Sequence, residues 1–141
     1  MTDLSSEFEF TDQADQDWLD SLLLNHLYEK TKRQNRNEKT IEITVMVDGK
    51  RAGGLIAKKQ FEGCYVEWLA VESDFRHRNI GSLLLQELEK RCRQMNIHTI
   101  VLNTQDYQAP VFYEKNGFNL AGQIRDFPFE GTIRYFLSKR L

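Results

Sequence analysis

Cysteine is scarce in this chain. Among 141 residues there are two, Cys64 and Cys92, 28 positions apart. No CxxC pair and no nearby histidine cluster accompanies them, which excludes a zinc knuckle and a disulfide scaffold. Both lie in apolar patterns and read as small buried hydrophobes. Proline and glycine are also few, at two and eight, so long flexible linkers are excluded. No apolar run approaches the roughly 20 residues of a membrane-spanning helix. The acidic start of the chain lacks an apolar signal core, so a cytoplasmic protein without a membrane partner is expected. Neither sign of charge dominates: 19 Lys and Arg face 21 Asp and Glu, for a formal charge of -2. A nonspecific grip on nucleic acid needs clustered positive excess, so no nucleic-acid partner is expected.

Core-forming material is plentiful. Hydrophobic residues make up 40% and aromatics 11%, which excludes disorder as a description of the whole. The length suits one domain, residues 1–141, with a single core. Glu7-Phe8-Glu9-Phe10 alternates and predicts a short strand. A helix is predicted from Asp12 to Arg33, with Trp18, Leu19, Leu22, Leu23 and Leu27 at helical spacing. Acids gather at its start and bases at its end, complementing the helix dipole. Ile41, Ile43, Val45 and Val47 then alternate with polar neighbours and Met46 up to Asp48-Gly49, a strong hairpin signal. Ala52 to Lys58 is the return strand, and Gly53-Gly54 within it predicts a bulge or a close approach. Cys64 to Val71 is more continuously apolar and is predicted to be central.

Ile80, Leu83, Leu84, Leu88, Cys92 and Met95 define a second helix, and Thr99 to Leu102 a short buried strand. Pro110 and Gly117 frame a third helix. Phe118 to Ile124 and Thr132 to Ser138 are the last strands. The order is β-α-β-β-β-α-β-α-β-β. It predicts a mixed α/β sheet with antiparallel and parallel pairings. A flavodoxin-like nucleotide fold would be all parallel, and the Asp48-Gly49 hairpin argues against it.

The segment richest in chemistry is Val71 to Leu85, a strand, a polar basic loop and a helix start. Free N–H groups of a first helical turn, aided by the dipole, attract a phosphate. Gly81 removes a Cβ that would block close approach. Arg76 and Arg78 add positive charge. A Walker loop is absent, since no Lys follows Gly81, and GxGxxG is absent too. A helix start with solvated arginines is the competing reading.

Arg76-x-x-Asn79-x-Gly81 resembles the Arg/Gln-x-x-Gly-x-Gly/Ala signature of the GCN5-related N-acetyltransferases (the GNAT family). Asp106-Tyr107-Gln108-Ala109-Pro110-Val111-Phe112-Tyr113-Glu114-Lys115-Asn116-Gly117-Phe118 resembles the family block Asn-x-x-Ala-x-x-Phe-Tyr-x-x-x-Gly-Phe. Val66 to Val71 is similar to the family's fourth strand, and the order of elements is the family's order. The resemblance covers residues 41–141 well and the residues before them loosely. It implies the GNAT acyltransferase fold, with an antiparallel N-terminal half and a central parallel strand-helix-strand unit. It also implies acetyl-CoA, or another acyl-CoA, as donor and no metal. Donor contacts would fall on Leu69, Ala70 and Val71 for the pantetheine arm, which enters where two strands splay. Arg76, His77, Arg78, Asn79, Ile80, Gly81 and Ser82 would hold the pyrophosphate, with Asp106, Ala109 and Phe112 nearby. Two positions depart from the pattern. Asn79 replaces a glycine, and Asn suits both a left-handed backbone and a helix cap. Asp106 replaces an Asn that bonds the donor arm.

The implied reaction is direct acetyl transfer to a primary amine of a small molecule or peptide. It needs amine deprotonation, carbonyl polarisation and reprotonation of the thiolate. Tyr113 stands where the family's acid stands; its competing reading is a core aromatic beside Phe112. Glu67 is the candidate base, directly or through water; its competing reading is a carboxylate at the sheet's solvated end. Strand alternation puts Glu67, Leu69 and Val71 on one face and Trp68 and Ala70 on the other. The N–H of Leu69 is the oxyanion donor by family analogy. His26, His77 and His98 show no metal spacing. The resemblance implies that the first helix and the 34–40 and 125–131 loops close over the acceptor; there Asp126, Phe127, Phe129 and Glu130, with Trp18 and Tyr28, suit a cationic or amphipathic amine, the competing reading being an ordinary loop. The alternating last strand predicts a homodimer. A second functional reading is a silent acyl-CoA-binding sensor on the same fold.

Overall fold

A computed structural model describes residues 7–108 and 110–141. Two compact units divide between Arg36 and Asn37. The first holds helix α1 (Gln16–Thr31). Asp15 caps it, its carboxylate accepting from the Asp17 and Trp18 amides at 3.0 and 3.2 Å. That cap, rather than Asp12, sets the start, because it satisfies two first-turn donors at once. Lys32, left-handed at φ 64°, ends the helix with its N–H on the Tyr28 carbonyl. Arg36 pairs with Asp20 at 2.6 Å. The strand predicted over Glu7–Phe10 is not formed. Its alternation is too short to hold a ladder, and no strand is paired with it.

The second unit is a sheet with helices. Its elements are β1 (Lys39–Val47), β2 (Lys50–Gln60), β3 (Gly63–Val71), α2 (Ile80–Gln94), β4 (Thr99–Gln105), α3 (Pro110–Lys115), β5 (Asn119–Arg125) and β6 (Ile133–Arg140). Six strands run in the order β1-β2-β3-β4-β6-β5. β3 and β4 are parallel, joined through α2, and the other neighbours are antiparallel. β3 is central, as its apolar run predicts. Asp48 and Gly49 both take positive φ, 49° and 77°, the geometry of a tight hairpin turn.

Both expectations for Gly53 hold. The β1–β2 register shifts beside it, between Val45 and Met46. A Cβ on Gly53 would lie 2.9 Å from the Ala70 carbonyl oxygen and 3.1 Å from Ile80 Cγ2. β2 therefore passes tightly beneath the junction of β3 and α2. The core lies between the sheet and the apolar stripe of α2. Leu84, Leu88 and Cys92 of that stripe are fully buried with Leu55, Ile100 and Leu137 of the sheet. Cys64 and Cys92 are both buried free thiols. The neighbouring Cys64 thiol, together with burial, pushes the Cys92 thiol up, so it stays protonated.

Candidate functional site

Topology gathers the donor-site candidates of the second unit at one end of the central strands. Parallel β3 and β4 end on the same side, where the loop into α2 and the loop into α3 begin. β6 starts there too, since Arg134 pairs with Gln105 at the end of β4. Ligands of open α/β sheets sit outside the carboxyl ends of parallel strands.

β3 and β4 pair over only three residue pairs, Gly63↔Thr99, Cys64↔Ile100 and Tyr65↔Val101. Beyond these, both strands continue without pairing to each other, although β3 stays bound to β2 as far as Val71↔Gly53. The backbone of β3 from Val66 onward thus presents an edge with no strand beside it, towards β4. Leu69, Ala70 and Val71 all lie on this stretch.

Glu67 sits in a bulge. On β2, Ala57 pairs with Val66 and its neighbour Ile56 pairs with Trp68, so Glu67 is the extra residue. The bulge switches which positions face the core. Cys64 and Val66 are buried before it, and Leu69 and Val71 pack on the same core after it. Glu67 itself is exposed. Strand alternation put Glu67, Leu69 and Val71 on one face; the bulge separates Glu67 from the other two, because an inserted residue resets the period of two.

The loop into α2 begins with a short 3-10 turn, Ser73–Phe75. Arg76 is extended, and His77 and Asn79 are both left-handed at φ 63° and 62°. The left-handed Asn79 matches its expected role, but its side chain makes no cap hydrogen bond. The main chain at Asn79 instead accepts from Leu83 N at 3.0 Å. Among the described residues, nothing accepts from the amides of His77 through Ser82. No acid stands in the first turn of α2. Arg76 and Arg78 are exposed beside these amides, and Arg78 lies over the Phe75 ring at 5.5 Å. An anion placed here would meet free donors, positive charge and the helix dipole together.

Gly81 is needed for a different close approach from the one expected. A Cβ there would lie 2.8 Å from Cζ of Phe112. The ring of Phe112 thus rests on the first turn of α2 and ties it to α3. Tyr113 follows, its ring 5.1 Å from Phe112 and 5.9 Å from Phe118, edge-on to the latter. Both Phe112 and Tyr113 are partly buried and pack against the core, so the core packing that was the competing reading for Tyr113 is present. Burial raises the Tyr113 phenol above its ordinary value, so it stays protonated at neutral pH. Asp106 is exposed, and its carboxylate accepts from the Tyr107 amide at 3.0 Å. Ala109 lies outside the described residues.

The sequence model of the acetyltransferase (GNAT) family matches residues 2–118. A blasticidin-S acetyltransferase from Streptomyces morookaense is 35% identical over 66% of this chain and 68% of its own length. An acetyltransferase from Bacillus cereus superposes with a TM-score of 0.84 at 24% identity, covering 94% of this chain and 98% of its own. A Bacillus anthracis protein assigned as a streptothricin acetyltransferase, solved in complex with acetyl coenzyme A, superposes at 0.65 and 21% identity over 72% and 62%.

The chain belongs to the GNAT acetyltransferase family.

The mixed sheet with its one parallel pair is therefore the GNAT fold, and the protein is an N-acetyltransferase. In this GNAT chain the strand similar to the family's fourth is β3, since the Glu7–Phe10 strand is missing. His26, His77 and His98 are exposed. Among the described residues no group of His, Cys, Asp or Glu is arranged to hold a metal, and no helix is long and apolar enough to cross a membrane. A hollow of about 310 Å³ lies between α2 and the end of α3, lined by Gln86, Glu89, Lys115 and Lys139 among others. Two of these lining residues, Glu89 and Lys139, form an ion pair.

Four residues near the GNAT splay escaped the sequence reading. Asn103 Nδ2 donates to the Tyr65 hydroxyl at 2.8 Å, bridging β4 to β3 just past their last pair. Gln105 is 3% exposed at the end of β4. Oriented by its partners, its amide oxygen accepts from Arg134 Nε and Nη2 at 2.7 Å each, and its nitrogen donates to the Ile133 and Phe127 carbonyls at 3.2 and 3.1 Å. The signal was there in strand parity. Ile100, Leu102 and Thr104 face the core, so Asn103 and Gln105 share the other face. What the sequence could not supply was the pairing partner across the sheet.

Proposed function

We propose that this protein transfers the acetyl group of acetyl-CoA to a primary amine of a small molecule by direct attack. The observation that carries the reading is the run of free amides from His77 to Ser82 beside the open edge of β3. The amides would receive the pyrophosphate, and the backbone from Leu69 to Val71 the pantetheine arm. Ile80 and Phe112 fix that loop from below. Asp106 spends its carboxylate on its own turn, so it is a poor partner for the arm.

The amine nitrogen attacks the thioester carbonyl carbon as the C–N bond forms and the C–S bond breaks. Glu67, exposed at the bulge, takes the proton leaving nitrogen, directly or through water. The N–H of Leu69 would stabilise charge on the carbonyl oxygen. Tyr113, kept protonated by burial, gives its proton to the departing sulfur and regains one from solvent. The products are the amide and free CoA. Relatives named for acting on blasticidin S and streptothricin support a small-molecule acceptor over a peptide. The family match spans both units of the chain, which supports one acetyltransferase domain. Cytoplasmic placement and a homodimer through the last strands remain part of the proposal.

Acetyl-CoA is expected to raise the melting temperature by mass action, and an amine panel to release free thiol. Absence of any shift at millimolar acetyl-CoA overturns the donor assignment. A clear shift with no thiol release on any amine favours the silent sensor.

A further inference from the structure

Arg134 is half-buried at the start of β6. Its guanidinium lies over the Phe127 ring at 4.6 Å, and its Nε–Nη2 edge is taken by the Gln105 oxygen. Gln105 in turn has no bonding capacity to spare, being buried and holding two backbone carbonyls. One face and one edge of the guanidinium are thus fixed. The second edge, Nη1 with the remaining Nη2 hydrogen, has no partner among the described residues. Among the described residues no carboxylate pairs with Arg134. The acids of the adjoining loop do not neutralise it. Asp126 turns its carboxylate to the Gly131 amide at 2.9 Å, and Glu130 is exposed. A partly desolvated cation held in one orientation with a free fork is costly unless something meets it.

Its position is informative. Val101 and Tyr65 form the last β3–β4 pair. Gln105 stands four residues beyond Val101, and Leu69 four residues beyond Tyr65. The clamp is therefore roughly level with the backbone assigned to the reacting end of the donor. It lies on the sheet face opposite α2, because Gln105 has the opposite parity to Ile100 and Leu102 in the core.

We propose that Arg134 is an anion-binding site for the acceptor, and that the amine substrate carries a carboxylate. The inference rests on the acetyltransferase reading. A guanidinium fork matches the two oxygens of a carboxylate. A single fixed cation balances one carboxylate charge but not a phosphate dianion. The cationic acceptor expected from the loop acids gives way to an amino acid-like one, because Asp126 is committed within its own loop.

The test uses the protein saturated with CoA, so that the donor's phosphate sites are filled. Propionate is compared with neutral propionamide and with inorganic phosphate at matched ionic strength, by melting temperature. The wild type is expected to be stabilised by propionate and not by propionamide. Arg134→Gln is expected to lose that response. Arg134→Lys, which keeps the charge but not the fork, is expected to lose most of it and guards against a misfolded Gln variant. For any amine that turns over, KM for the carboxylate form is expected to rise about tenfold in Arg134→Gln relative to its carboxamide. Equal effects of propionate and propionamide on the CoA-loaded wild type overturn the inference while leaving the acetyltransferase reading intact. A stronger response to phosphate than to propionate overturns the carboxylate assignment. Failure of CoA itself to stabilise the protein overturns the reading beneath it.

Discussion

The two ends of the β3–β4 pair obey opposite rules. At the closed end, Gly63 to Tyr65 pair with Thr99 to Val101, and Cys64 and Ile100 are buried beneath α2. Every backbone group there has a strand neighbour, and side chains supply cohesion. At the open end, the same strands leave their facing backbones unpaired, a bulge resets the parity of β3, and two left-handed residues precede α2. The open end gives up ladder hydrogen bonds that a continuous sheet would make. What it gains is an unsaturated edge of donors and acceptors, which is what a ligand with an extended amide-bearing arm requires. On the proposed reading, function comes from a local withdrawal of sheet pairing, held open by packing at the closed end.

If that division holds, damage at the open end should cost turnover and damage at the closed end should cost stability. The largest expected effect is Tyr113→Phe. Loss of the proposed leaving-group acid is expected to lower kcat by about 10²- to 10⁴-fold, with acetyl-CoA affinity and melting temperature near wild type, since the ring remains in place. The same variant has a pH signature. Burial raises the folded phenol above its ordinary value of about 10, so the folded state keeps a proton that the unfolded chain loses. The stability tied to this group is complete below pH 10 and falls as pH rises through the folded value. Denaturant titrations at alkaline pH should show this decline in the wild type and not in Tyr113→Phe. Turnover that survives the substitution would assign the proton to another donor.

At the closed end, Leu88→Ala empties a side chain with no exposed surface. A cost of about 2–5 kcal/mol is expected, read by urea unfolding. At temperatures where the variant remains folded, kcat should be close to wild type. A large kcat loss in fully folded protein would mean that the two ends are not separable.

The same contrast explains what the sequence disclosed. The closed end is built from periodic apolar residues, so β1 to β4, α2 and the central place of β3 follow from Ile41, Leu55, Val66, Leu84 and their spacing. The loop into α2 was legible because its motif is short and contiguous. Glu7–Phe10 misled because alternation alone cannot show that a partner strand exists. The bulge at Glu67 was hidden because it is a property of the β2–β3 register, which no single strand encodes. Gln105 and Arg134 were hidden for a related reason. They lie 29 positions apart, and each reads as an ordinary polar strand residue until β6 is laid against β4. Gly81 was recognised, but as a space for ligand rather than for a ring.

That last point sets the smallest of the expected effects. If Gly81 is fixed by Phe112, then Gly81→Ala forces a methyl to within 2.8 Å of the ring. Overpacking of this kind costs about 1–3 kcal/mol. Phe112→Leu alone should cost a comparable amount by loss of packing. Combined with Gly81→Ala, the shorter side chain leaves room for the new methyl, so the double variant should be more stable than the sum of the two losses predicts. A double-mutant cycle by urea unfolding measures that coupling, and additivity of the two changes would deny the contact. Acetyl-CoA titrations on the same four proteins then divide the two meanings of the glycine. If it serves only the ring, affinity in the double variant should return towards wild type. If it also leaves space for the phosphates, affinity should stay low even where stability is regained, because the added methyl remains at the mouth of the free amides whatever Phe112 does.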